Sequence, residues 1–283
     1  MLTDLLRNGP RGFRKIIRFV ILVDRLIGEG AFLAFYLRLV YLVRMRLRER
    51  KRAFFEQEGY LVVRGFFEAE EISRVREAQD AFYRGEINEI PEFSWPKPRK
   101  TEAKSRKHPY ASFFRREMGE LIRDGRLGVL IREVANLESV RYWHDQLLFE
   151  EEREEGEVFY HWHREKSRWM TCEAEKMVTA WIPLMDFSGE MGPITIVPEG
   201  RDFREMKRMI LKAGDLVLFG SGTLHGNPPN FGKQVRRALA AHFASGEISY
   251  RPHGKFSHVN ERLVQRQNGV PDFQDERVCP VVA

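Results

Sequence analysis

Two hydrophobic rhythms divide this chain. Residues 11–50 carry apolar side chains at helical spacing in two segments, with Phe13, Ile16, Ile17, Val20 and Ile21 on one face of the first and Phe32, Phe35, Tyr36, Leu39, Val40 and Val43 on one face of the second. Gly28, Glu29 and Gly30 separate them. From Phe54 onward the pattern changes. A short β-rich run, Tyr60 to Val63, ends at Gly65; a helix is expected over 68–83, where Ile72, Val75, Gln79 and Phe82 fall at helical spacing, and another over 115–136, broken near Gly125. Residues 91–110, with four prolines and many Lys/Arg, read as an exposed loop. Five strand-like runs follow between turn residues: VRYWHDQLLF (140–149), KMVTAWIPLM (176–185), PITIVPEG (193–200), DLVLFGSGTLHG (215–226) and RRALAAHFASG (236–246). No regular helical pattern alternates with them, which predicts a mainly β fold with flanking helices, an antiparallel barrel or two-sheet jelly roll rather than a doubly wound sheet. The boundary between helical appendage (1–52) and main domain (53–283) falls where the rhythm changes.

Charge follows the same boundary. The chain has a net charge of +6, yet residues 1–52 hold 13 Lys/Arg against 4 Asp/Glu, while the remaining 231 hold 34 against 37. A nucleic-acid enzyme would place positive potential around its active domain, so that class is disfavoured. Arginines flanking apolar faces are instead the pattern of a helix lying at an anionic membrane surface. Uncharged stretches such as Gly30 to Leu37 are too short to span a bilayer, and there is no small-residue cleavage site of a secretory signal. The competing reading is a helix pair packed on the domain or in a dimer interface. With 43% hydrophobic and 31% charged residues the chain is neither disordered nor collagen-like. Two cysteines, Cys172 and Cys279, exclude a disulfide scaffold and a multi-cysteine zinc module, and fit a reducing compartment. The expected location is cytoplasmic, peripheral on the inner face of a membrane.

Candidate chemistry is concentrated in FYHWHREKSRW. His163 and Glu165, two apart, would share a face of a β-strand, and His225 lies 62 residues later in the turn-prone GTLHGNPPN. Two imidazoles and a carboxylate on one face of a metal leave open positions for a bidentate cosubstrate and dioxygen. Arg236, eleven residues beyond His225, could supply a fork for a carboxylate from a neighbouring strand. His161 shares the parity of His163 and competes with it as a ligand. His144 and Asp145 face opposite sides of their strand and read as structural or pocket-lining. The glutamates at 150, 151, 152, 154, 155 and 157 read as a solvated hairpin tip, and no repeat, Walker loop, dinucleotide fingerprint or nucleophile elbow is present.

Taken together, WHRE (162–165), Trp169, TAWIPLMD (179–186), MGPITIVPEGR (191–201), GDLVLF (214–219), HGNPPN (225–230) and Arg236 resemble the phytanoyl-CoA dioxygenase family of Fe(II)/2-oxoglutarate-dependent oxygenases over about residues 53–250. That resemblance implies a double-stranded β-helix, Fe(II) bound by His163, Glu165 and His225, and 2-oxoglutarate held by Arg236 with Trp181 and Asn227 in its pocket. It also implies dioxygen as oxidant, and hydroxylation of a small or lipid-like substrate as the outcome. Glu165 stands where the family usually has aspartate, and PEGR (198–201) replaces its usual PGSH turn. Arg164, Lys166 and Arg168 beside the metal motif are candidates for an anionic substrate group. Two other readings compete: a membrane-associated binding module that keeps the fold without turnover, and a cupin-like zinc or manganese centre.

Overall fold

The computed structural model describes residues 31–153, 161–252 and 258–283, so the first N-terminal helical segment and the glutamates at 154, 155 and 157 lie outside the described residues. The chain divides into two units at Lys51 and Arg52. Helix α1 (Ala31–Glu58) is one continuous element that outruns the expected end of the second segment by eight residues. Its stop is set by Gly59 at φ +75, a conformation glycine reaches without steric cost. Within the first unit Leu37, Leu39, Tyr41, Leu42, Val43 and Leu47 are all exposed. No helix among the described residues is long and apolar enough to cross a membrane.

The second unit is built on a six-stranded antiparallel sheet in the order β1 (Tyr60–Val63), β8 (Leu216–Gly220), β5 (Met177–Pro183), β10 (Arg236–Ser245), β3 (Val140–Glu150), β2 (Ser105–Pro109). A second sheet joins β7 (Lys207–Arg208), β6 (Thr195–Val197) and β9 (Leu224–Gly226), and a short ladder pairs β4 (Cys172–Ala174) with β11 (Ile248–Tyr250). Apolar contacts of the three-stranded sheet with the inner face of the large one make a two-sheet sandwich. The alternation along the strands shows why they read as continuous apolar runs: both faces are covered. Ala180, Ile182, Leu216, Leu218, Leu239 and Ala241 share a core with helices α2 (Ala69–Tyr83), α3 (Arg116–Ile122) and α4 (Gly125–Ala135). Their neighbours Trp181, Val217, Phe219, Ala238 and Ala240 pack with Ile194 and Ile196 of the small sheet. The break expected near Gly125 falls between α3 and α4, where Asp124 caps α4 by accepting from the Arg126 N–H.

One expectation fails here. Residues 91–110 are not simply an exposed loop: β2 pairs with β3 from Ser105↔Glu150 to Pro109↔Gln146, and Phe93 and Tyr110 are buried. The basic side chains of SRKHP mask a strand, because β2 lies at the edge of the sheet, where a strand pairs through its backbone on one side and carries charged side chains into solvent. The C-terminal segment, with α5 (Asn260–Leu263) and a hairpin of β12 (Arg266–Gln267) and β13 (Val270–Pro271), folds back on β3, where Val140 N donates to Ala283 O and Tyr142 N to Pro280 O. Both cysteines are free.

Between this segment and the large sheet lies a buried group of imidazoles. His144 stacks on His242 with ring centroids 4.2 Å apart, and His258 lies edge-on to His144 at 4.7 Å. Burial pushes His242 down to about 4 and His258 to about 3, and holds His144 well below its usual value. All three are therefore neutral at pH 7 and carry no charge penalty there. Below pH 6.5 the unfolded chain binds protons that the folded chain refuses, so stability is lost as pH falls from about 6.5 towards 4, by about 2 kcal/mol at pH 5 for His242 alone. Buried Asp145, lifted to about 6 chiefly by desolvation, works in the opposite direction and recovers part of this loss. Melting temperatures measured from pH 8 to pH 4 are expected to fall steeply below pH 6.5; a flat profile would mean the three rings accept protons in the folded state.

Candidate metal centre

The small sheet brings His163 and His225 together. His225 lies on β9, and His163 meets it in a single antiparallel bridge with reciprocal backbone bonds, His163 N to His225 O at 2.9 Å and His225 N to His163 O at 3.0 Å. The strand expected to carry both His163 and Glu165 is replaced by this bridge and a 3-10 turn over Glu165–Ser167. The turn is fastened by Lys166 N donating to Ser221 O and by the Ser167 hydroxyl donating to Arg164 O. It nonetheless swings Glu165 onto the same side. His163 Nε2 lies 3.4 Å and His225 Nε2 3.5 Å from Glu165 Oε1, and the three ligand atoms are all within 4.8 Å of one another.

Each imidazole is oriented through its other nitrogen. His163 Nδ1 faces the carbonyl of His161 at 2.9 Å, and His225 Nδ1 faces that of Thr223 at 3.0 Å. Protons at both Nδ1 positions leave the Nε2 lone pairs for a cation, which is how metal-binding histidines are usually fixed. The Phe219 ring packs on His225 with centroids 4.4 Å apart. Burial alone would raise the Glu165 carboxyl, but the two imidazole edges outweigh it and hold the group well below the usual carboxylate range. A carboxylate and two imidazoles form a donor set suited to a divalent transition metal. His161, the competing ligand, points elsewhere: its Nε2 meets the Arg168 guanidinium.

Beside this triad, with His161 and Asn227 in its wall, opens a cavity of about 280 Å³. Trp181, Arg236, Ala238, Lys107 and Glu150 also line it. Strand parity explains the set, since Arg236, Ala238 and Ala240 of β10 share a face with Trp181 of β5 and with Leu148 and Glu150 of β3, to which β2 adds Lys107. Trp181 Nε1 and Asn227 Oδ1 are buried with no hydrogen-bond partner among the described residues, so the wall offers a donor and an acceptor to a ligand. Arg236 is buried and fixed: its Nη1 donates to the carbonyls of Met191, Gly192 and Pro228, and its Nη2 to Glu150. Gly192, at φ +61, is required there because a Cβ would meet Pro228 O, Pro229 O and Arg236 itself.

The three basic candidates beside the metal motif do not line this cavity. Arg164 donates through Nε to Gly222 O at 2.8 Å, Lys166 lies along the same turn near Gly222, and Arg168 reaches the cavity wall only through His161. Two residues that the sequence pattern does not single out also stand in the wall. Lys107 lies in the segment whose composition reads as a loop; its side chain keeps contact with solvent yet is ringed by protein, and that desolvation lowers its pKa against the pull of Glu165. Glu150 belongs by composition to the acidic tip, although it is the last residue of β3 and continues the inward parity of Gln146 and Leu148.

No curated protein matches the sequence. Among solved structures, the fold is similar to the non-heme alpha ketoglutarate dependent epimerase SnoN from nogalamycin biosynthesis, with a TM-score of 0.67, 20% identity and coverage of 84% of this chain and 99% of that one. The carbocyclase SnoK of the same biosynthesis matches at 0.64 with 19% identity over 83% and 96%. EctD from S. alaskensis with bound Fe matches at 0.54 with 18% identity over 70% and 76%. These likenesses establish the double-stranded β-helix. The phytanoyl-CoA dioxygenase (PhyH) family matches residues 55–238, which include all three triad residues and Arg236, and the chain belongs to this family of Fe(II)/2-oxoglutarate-dependent oxygenases.

Proposed function

We propose that this chain is an Fe(II)- and 2-oxoglutarate-dependent dioxygenase that hydroxylates a C–H bond of a small or lipid-like substrate, acyl or isoprenoid in character. The carrying observation is the convergence of His163 Nε2, His225 Nε2 and Glu165 Oε1, each imidazole fixed through its second nitrogen. These three residues would hold the iron, and three protein ligands leave room for a cosubstrate and dioxygen. Iron with 2-oxoglutarate and dioxygen supplies oxidation of an unactivated C–H bond, with succinate and carbon dioxide released.

The chain's own contribution is to bind, orient and exclude water. Arg236, immobilised by three carbonyls, takes the far carboxylate of the cosubstrate. Trp181 Nε1 donates to it and Asn227 Oδ1 accepts from a neighbouring hydroxyl or water, relieving two orphaned polar atoms. Phe219 shields one face of His225 from solvent. Lys107 and, through His161, Arg168 place positive charge at the cavity wall, where an anionic part of the substrate would be received; Arg164 and Lys166 extend that charge along the neighbouring turn. Helix α1 would lie on an anionic membrane surface, supported by its exposed Leu37, Leu39, Tyr41, Leu42, Val43 and Leu47 among arginines, and would present the enzyme to a lipid-like substrate on the cytoplasmic side.

Adding Fe(II) and 2-oxoglutarate to the apo-protein without oxygen is expected to give the visible metal-to-ligand charge-transfer band, and succinate should form once air is admitted. His225→Ala and Glu165→Ala should abolish the band and lower succinate formation by at least about 100-fold. A wild-type protein that folds, binds iron and shows no band would favour the non-catalytic binding module, and tight zinc or manganese without a band would favour the cupin-like centre. For the membrane reading, the full chain is expected to pellet with phosphatidylserine vesicles at low salt and not with phosphatidylcholine vesicles. Glutamine at Arg38, Arg46, Arg48 and Arg50 together should weaken that binding, each arginine counting for about 1 kcal/mol; equal pelleting with both vesicles would overturn the electrostatic component.

A further inference from the structure

The residue before the first triad ligand points away from the metal centre. While His163 faces Glu165, the indole of Trp162 packs over Gly226 and meets the Phe203 ring with centroids 4.7 Å apart. Phe203 belongs to a segment, residues 201–212, in which Phe203, Met206 and Ile210 are each at least 40% exposed. Among the described residues of the second unit, no other stretch of eight puts three large apolar side chains in solvent.

The segment is an ordered frame. Asp202 accepts from Arg204 N at 2.9 Å and Glu205 accepts from Asp202 N at 3.3 Å, a capping box that fixes the 3-10 turn Phe203–Glu205. Beyond it β7 pairs with β6 at the edge of the small sheet, Met209 N donates to Ile194 O, and Arg208 Nη2 donates to Gly189 O. Met209 and Leu211 are already in the core, so folding has used the apolar groups it needs and left Phe203, Met206 and Ile210 outside.

Charge indicates what covers them. Residues 201–212 carry Arg201, Arg204, Lys207, Arg208 and Lys212 against Asp202 and Glu205, in a main domain where acids outnumber bases 37 to 34. The two acids are engaged in the capping box and in pairs with Arg204 and Arg201. Apolar groups fringed by Lys/Arg gain twice at an anionic bilayer, from burial among the upper acyl chains and from attraction to the headgroups.

We propose that Phe203, Met206 and Ile210 enter the headgroup layer of an anionic phospholipid bilayer, with Arg204 and Lys207 meeting its phosphates. The contact uses residues of the second unit only. Trp162 stands in the chain between His161 of the cavity wall and His163 of the triad, so the contact lies beside the site it would serve. The proposal rests on the reading of a lipid-like substrate met at a membrane, and the experiment separates it from the role given there to α1.

Full-length protein is mixed with vesicles of phosphatidylserine and phosphatidylcholine brominated on their upper acyl carbons, and tryptophan quenching is recorded beside pelleting. Trp162 is the reporter: Trp143, Trp169 and Trp181 are buried, Trp95 packs against Tyr110, and subtraction of the Trp162→Phe signal isolates it. Vesicles with phosphatidylserine are expected to quench Trp162, and phosphatidylcholine alone is not. Phe203→Ser, Met206→Ser and Ile210→Ser together, all at exposed positions, are expected to weaken association at least about tenfold and abolish the quenching. Arg204→Gln with Lys207→Gln is expected to weaken it several-fold, more at low salt than at high salt.

Pelleting without Trp162 quenching, or full affinity in the triple serine variant, would overturn the patch and leave α1 as the anchor. Full affinity in the four-glutamine variant of α1, with loss in the triple serine variant, would overturn the role of α1 and uphold the patch. No association of the wild type with either vesicle would overturn both. A dimer that forms without vesicles and is lost in the triple serine variant would assign the patch to a second copy of the chain and overturn the proposal. Should the triple variant fail to fold, wild-type quenching and the Arg204→Gln, Lys207→Gln pair decide: no quenching, or no weakening, refutes the contact.

Discussion

Two reciprocal backbone hydrogen bonds between His163 and His225 carry the organisation of this site. They join a segment that forms no regular strand to the edge of the small sheet and set the two imidazoles side by side with centroids 4.3 Å apart. Once that bridge is made, the carbonyls of His161 and Thr223 fall within reach of the two Nδ1 atoms, and both Nε2 atoms are left facing Glu165. The longer side chain of glutamate suits the geometry. Starting from a 3-10 turn rather than a strand, the carboxylate reaches the imidazoles from a backbone that has already bent away.

The interior of the barrel is more polar than the strands that build it. Ala238 and Ala240 keep the face of β10 low, which leaves space above it for Arg236, Glu150, Trp181 and Lys107 to meet around one cavity. Further along, the same face ends in His242, stacked on His144 and kept neutral by burial. Aromatic rings, Trp169 among them, pack around these neutral imidazoles.

Much of this is legible in the residues. Alternation and turn spacing point to an antiparallel sandwich because each strand buries two faces, and that pattern is local. The triad is recoverable because HxE and the later HGN stand in strongly patterned surroundings. Lys107 and Glu150 are not recoverable in the same way. Lys107 sits in a basic stretch with five residues of edge strand, too short and too polar to show a period, and Glu150 is one of six glutamates between residues 150 and 157.

The alternation of the main strands, the residue types of the candidate metal centre and the segregation of basic charge before residue 53 were legible in the sequence alone, since each is carried by short patterned segments. Which partners those side chains meet was decided only by the tertiary structure. Arg236 and Glu150 are 86 residues apart and come together through the register of β10 on β3. His163 and Glu165 converge through a turn that local periodicity does not encode. Register and loop closure are set by the summed burial of two sheets and three helices, and no short window of sequence contains that sum.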